Sequence, residues 1–83
     1  MHVIILGAAR RELHRLAPDV AERVGQAIDG LEENPRPAGC RLLRDRESRT
    51  WRLRVGHWRI LYDIDDTAGV VTVLRILHRS KAY

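Results

Sequence analysis

The chain has a single cysteine, Cys40, which excludes an internal disulfide and every cysteine-rich zinc pattern and suits a reducing compartment, with the cytoplasm as the default. It also lacks a long hydrophobic run. The opening MHVIILGAA is apolar over too few residues to cross a membrane as a helix, and its arginines follow the apolar stretch where a secretory signal needs them in front. It reads as a strand. Repeats, low-complexity tracts and linkers are missing as well, and 83 residues suffice for one domain, 1–83, near the lower limit for a core without disulfide or metal.

What the chain has is positive charge, unevenly placed. Up to Ala38 there are five arginines against six acids; from Gly39 onward, ten lysines and arginines stand against five acids. The net charge of +4 therefore belongs to the second half. No amphipathic basic helix accompanies it, so the asymmetry points to a polyanionic partner of the nucleic-acid kind and away from a membrane surface.

The periodicity divides the chain in the same place. His2 to Leu6 suits a short strand. Ala9, Leu13 and Leu16 fall at helical spacing within 8–16, and a second helix starts at Pro18, carries Val20, Val24, Ile28 and Leu31, and ends at Asn34-Pro35. Residues 35–39 form a connector, 40–43 a short extended piece. From Thr50 the period becomes two: Trp51, Leu53 and Val55 alternate with Arg52 and Arg54, and Trp58, Ile60, Tyr62 and Ile64 alternate with Arg59, Leu61 and Asp63. Val70 to Leu77 reads as a last strand, with Val70, Thr72, Leu74 and Ile76 as its core-facing set. The order implies an α+β fold: an N-terminal strand, a two-helix hairpin, then a three-stranded antiparallel meander, with both helices on one face of a single sheet.

Gly56-His57 is suited to a type II′ turn, which sets Val55 opposite Trp58, Arg54 opposite Arg59 and Leu53 opposite Ile60. The apolar partners then share one face and the arginines the other. With Arg75 and Arg79 from the last strand, up to five guanidinium groups gather there: Arg52, Arg54, Arg59, Arg75 and Arg79. Two unit charges about 5 Å apart repel by roughly 1 kcal/mol in water, and like charges directly opposite destabilise a sheet. A salt-bridged patch using Asp63, Asp65 and Asp66 is one explanation. Those acids lie at the far end of the hairpin from the arginines at its turn, which favours a phosphate-binding face instead.

The segments WRLRVGHWRILYDIDD and VVTVLRILHRSKAY, preceded by the helical stretch ARRELHRLAPDVAERVGQAIDGLEENPRP, resemble the RelE/ParE superfamily of bacterial toxins across nearly the whole chain. The resemblance implies a toxin partnered by a cognate antitoxin. In RelE-like members it implies an endoribonuclease that cuts messenger RNA in the ribosomal A site without metal or cofactor. In ParE-like members on the same fold it implies inhibition of DNA gyrase without cleavage, and a homologue that only binds its antitoxin is a third possibility. Carried onto this chain, Arg52 and Arg54 occupy the alternating basic pair, Arg59 follows the aromatic, Arg79 ends the last strand, and Tyr83 is the late tyrosine. Arg59 is then expected to stabilise the phosphate, Arg79 to stabilise it or protonate the leaving group, and Tyr83 to stack on a base or orient the 2′-OH. Arg52, Arg54, Arg75 and Lys81 are expected to hold RNA.

Where RelE members often have lysine in the basic pair, this chain has two arginines, which stay charged and cannot act as bases. Glu47 and His78 are the candidate proton acceptors. Trp51, Trp58 and Tyr62 alternate on the helix-facing side and are expected in the core.

Overall fold

The computed structural model describes residues 1–43 and 49–81. Strand β1 (His2–Ile5) leads into helix α1 (Gly7–His14) and helix α2 (Pro18–Gly30); strands β2 (Arg41–Leu42), β3 (Trp51–Val55), β4 (Trp58–Asp65) and β5 (Val70–His78) follow. One sheet contains all five strands in the order β1-β5-β4-β3-β2, with β1 parallel to β5 and the other neighbours antiparallel. The expected meander is its centre. No described helix is long and apolar enough to cross a membrane.

Local chemistry explains the elements. Pro18 sits in the first turn of α2, where its missing N–H costs no intrahelical bond, and Asp19 beside it faces the positive helix end. Val24 and Ile28 of α2, and Leu31 just past its end, are buried against Leu53, Ile60, Tyr62, Val71, Val73 and Ile76 of the sheet. Each such side chain contributes roughly 1.5–3 kcal/mol on full burial, so one shared core ties both halves of the sequence together. Gly56 has φ 58° and no described non-glycine residue has positive φ, which identifies the turn as type II′. The β3–β4 register is the expected one, from Trp51 opposite Tyr62 to Val55 opposite Trp58.

Strand β5 departs from expectation. The β4–β5 pairing runs Trp58 to His78 through Leu61 to Arg75, then steps to Tyr62 with Val73. Leu74 is the extra residue of a β-bulge, which reverses the sidedness of the strand. Before it Val71 and Val73 face the helices; after it Ile76 does. Val70, Thr72 and Leu74 are therefore not the core-facing set, and only Ile76 of that expected group is fully buried. Arg75, Leu77 and Arg79 remain on the face away from the helices.

Candidate nucleic-acid interface

Cross-strand pairing assembles two rows on the open face. In one, Arg41 faces Arg52, Arg52 faces Leu61, and Leu61 faces Arg75. In the other, nearer the turn, Arg54 faces Arg59 and Arg59 faces Leu77. The amide of Arg79 donates to the carbonyl of His57 at 2.7 Å, pinning the last arginine to the same turn. Arg54, Arg59 and Arg79 thus converge at one end of the sheet. Arg41 extends the first row and was missed by sequence reasoning, because nothing in a two-residue strand announces which of its sides will face a partner.

The arginines divide by what holds them. Arg75 is engaged by Glu12 of α1: Nε donates to Oε1 at 3.0 Å and Nη2 to Oε2 at 2.9 Å. The carboxylate also accepts the Ile76 amide at 2.9 Å, on a stretch of β5 that has run past its pairing with β1. Burial works against the charge on Glu12, but the Arg75 hydrogen bond, the Ile76 amide and the guanidinium's attraction outweigh it and hold the carboxyl below its ordinary range. Arg36 forks onto Asp66 at 2.8 and 3.2 Å while its guanidinium lies 5.1 Å from the ring centre of Trp51. The Arg36 hydrogen bond pulls the Asp66 carboxyl down in turn.

Arg59 is bonded to its own turn. It is only 5% exposed, and its Nη1 donates to the carbonyls of Gly56 at 3.0 Å and Trp58 at 2.9 Å. Arg59 thereby braces the turn from the open face. Arg52 is half-buried on the same face. Arg54 and Arg79 are exposed, and no described acid bonds or ion-pairs with either. The acids that stood as possible counter-ions act elsewhere: Asp63 accepts the Thr50 hydroxyl at 3.2 Å, Asp65 the Ala68 amide at 3.0 Å, and Asp66 holds Arg36.

The proton-transfer candidates are only partly in view. Glu47 and Tyr83 lie outside the described residues. Nδ1 of His78 accepts the Ser80 amide at 3.3 Å and lies 3.0 Å from the Ser80 hydroxyl, so the neutral ring carries its proton on Nε2. The ring meets Trp58 edge-on, with centroids 5.3 Å apart at 86°, and lies 6.2 Å from that of His57. His78 pairs with Trp58 one step beyond Arg59 and Leu77, at the same end of the sheet as the arginines but on the opposite side. There it lines a cleft of about 230 Å³ with Glu12, Arg15, Leu16, Trp58 and Lys81. The aromatics take the expected side: Tyr62 is fully buried, its hydroxyl donating to the Pro35 carbonyl at 2.8 Å, while Trp51 and Trp58 pack against the core.

Residues 3–83 match the family described as ParE toxin of type II toxin–antitoxin system, parDE. Toxin RelG of Mycobacterium tuberculosis is 38% identical over 76 residues, covering 90% of this chain and 86% of that protein. Toxin RelE of the same organism is 35% identical over 83 residues, covering 99% and 84%. The RelBE2 toxin–antitoxin complex of M. tuberculosis superposes with a TM-score of 0.82 at 34% identity over 94% of this chain and 96% of that one. The RelE–RelB complex of Pyrococcus horikoshii OT3 superposes with a TM-score of 0.84 over 98% and 97%; at 24% identity this is a likeness of fold.

Proposed function

Because the chain belongs to the RelE/ParE superfamily of toxins of type II toxin–antitoxin systems, we propose that it is a ribosome-dependent endoribonuclease that cleaves messenger RNA in the A site. In this reaction the ribose 2′ oxygen loses its proton and bonds to the adjacent phosphorus. The bond to the 5′ oxygen breaks, leaving a cyclic phosphate on one fragment and a 5′-OH on the other. Negative charge grows on the phosphoryl oxygens at the transition state, and prearranged cations are what lower its energy. Their gathering carries the proposal: the Arg79 amide bonded to the His57 carbonyl holds Arg79 at the turn where Arg54 faces Arg59.

Arg54 and Arg79 are the groups to contact phosphate, with Arg52 and Lys81 on its approaches. Arg59 acts by holding the turn and adding its field from beneath. Neither Arg52 nor Arg54 can accept the 2′ proton, which leaves Glu47, or His78 through Nδ1, the ring nitrogen that carries no proton and now accepts the Ser80 amide. Tyr83 supplies stacking or orientation of the 2′-OH. A cognate antitoxin restrains the toxin by laying an acidic or amphipathic segment over the basic end; the RelBE2 complex, at 34% identity, supports such a partner. Cytoplasmic action follows from a ribosomal target.

The test is to add purified protein to a translation extract and map message ends, with a gyrase supercoiling assay on the same preparation. New ends within translated codons support the nuclease; intact messages at high dose overturn it. Intact messages with blocked supercoiling would establish the second reading, a ParE-like gyrase inhibitor, which the ParE description of the matching family favours.

A further inference from the structure

Helix α2 contains one cation among three acids: Arg23, with Asp19, Glu22 and Asp29. Asp19 stands four residues earlier, the spacing at which an acid and an arginine ordinarily pair along a helix. Yet the Arg23 side chain makes no hydrogen bond or ion pair with any described residue. Its guanidinium extends toward the sheet, placing Nη1 3.7 Å from the point a β-carbon would occupy on Gly56. Arg23 lies on the flank of the buried stripe formed by Val20, Val24, Ala27, Ile28 and Leu31, so its stem runs along the rim of the core and its charged head emerges at the hairpin tip.

The turn is therefore approached by guanidinium groups from both sides. From the open face Arg59 donates to the Gly56 carbonyl; from the other side Arg23 Nη1 comes within 3.7 Å of the place a β-carbon on Gly56 would take. Arg54 and Arg79 stand beside them without a described acid partner. Charge that collects at the edge between two faces suits an extended anion that passes over the edge, since a ligand confined to the open face would leave Arg23 unused.

We infer that Arg23 is a further RNA-binding residue, and that the bound strand crosses the β3–β4 turn from the open face to the helix face. The identity of the anion as single-stranded RNA rests on the nuclease reading above; the site itself rests on the position of Arg23.

The measurement is binding of a 2′-O-methyl RNA octamer, which cannot be cleaved, to the full chain at several salt concentrations by fluorescence anisotropy. Each phosphate contact to a single strand contributes about 0.7 to the slope of log affinity against log salt. Arg23→Ala should flatten the slope by about that amount and weaken binding about three- to fivefold near 0.15 M salt, with an unchanged circular-dichroism melt. Arg23→Lys should restore the slope, because a point charge suffices for the contact, whereas a merely structural role for the stem would not move the slope at all. Arg49→Ala, at the opposite end of β3, is the control for net charge and should leave the slope intact. The inference is overturned if Arg23→Ala keeps the wild-type slope, if Arg49→Ala flattens it equally, or if the wild type shows no salt-dependent binding. Message ends in the extract are read separately, so cleavage with an unaltered Arg23→Ala slope removes only this role, and a flattened slope with intact messages removes only the nuclease.

Discussion

Glu12 in α1 and Arg75 in β5 form a two-pronged ion pair in which the same carboxylate also caps the Ile76 amide. The contact fastens the first helix to the last strand at the point where β1 no longer covers that edge. It also removes Arg75 from the set of arginines that require an outside partner, and leaves the unneutralised charge concentrated nearer the turn.

Glu12→Ala should lower the urea midpoint by an amount equivalent to about 1 kcal/mol. Most of this comes from the edge amide left without its acceptor, because the half-exposed Arg75 end is screened by water. The pH dependence has a definite sign. The folded carboxyl titrates below its ordinary value of 4.5, so the unfolded chain binds the proton first as pH falls. Glu12's contribution is complete above the unfolded value and is lost as pH drops through the folded one. Glu12→Gln should therefore lose less stability than wild type between about pH 5 and pH 3; parallel acid titrations of the two would refute the assignment.

Arg59→Ala should destabilise the fold, even though it removes a like-charge neighbour from Arg54. Relief of that repulsion is worth roughly 1 kcal/mol. Against it stand two carbonyls, of Gly56 and Trp58, that lose a charged donor at a buried site, at about 2–3 kcal/mol. The net loss of about 1–2 kcal/mol corresponds to a melting point lower by about 5–15 °C. Calorimetry decides it, and a variant as stable as wild type would return Arg59 to the status of a dispensable surface charge. Any loss of toxicity in Arg59→Ala has to be read beside its melt.

The hairpin was legible because two independent signals agree there: Gly56 suits the turn, and strict alternation from Trp51 to Ile64 fixes which side each residue takes. A one-residue slip would have turned every arginine inward. Strand β5 offered no such constraint. Val70, Val71, Val73, Leu74, Ile76 and Leu77 supply apolar side chains on both sides, so the pattern could not reveal where the extra residue at Leu74 would fall. The partners of the arginines were hidden for a different reason. Glu12 reaches Arg75 from a separate element, and Arg59 is buried on carbonyls of its own turn, neither of which periodicity describes. Arg23 and Arg41 came into view only through tertiary placement.

Tyr62 sets the alkaline limit. Its hydroxyl is bonded to the Pro35 carbonyl, and burial, reinforced by the nearby Cys40, pushes the phenol well above its ordinary value of 10. The unfolded chain would ionise this group first as pH rises. The stabilisation is therefore full below pH 10 and declines above it. Tyr62→Phe should cost about 1 kcal/mol at neutral pH and flatten the alkaline decline. Ultraviolet titration should show a tyrosine in the wild type that ionises only together with unfolding. An early, reversible ionisation of Tyr62 without loss of structure would refute its burial.

Arg54→Ala and Arg79→Ala separate function from folding more cleanly than any change at Arg59. Neither side chain bonds to a described acid, and the hydrogen bond that pins Arg79 to the turn uses its backbone amide, which alanine retains. Stability should stay within about 0.5 kcal/mol of wild type. Removing one prearranged cation from a transition state of growing negative charge should slow message cleavage by about 10²- to 10³-fold, and cells expressing either variant without antitoxin should resume growth. The effect should fall on the cleavage step more than on binding, since an uncleavable RNA loses only one phosphate contact. Full toxicity in both folded variants would exclude the turn as the catalytic end of the sheet. Toxicity retained together with blocked supercoiling would transfer the protein to the gyrase-inhibiting branch of its family.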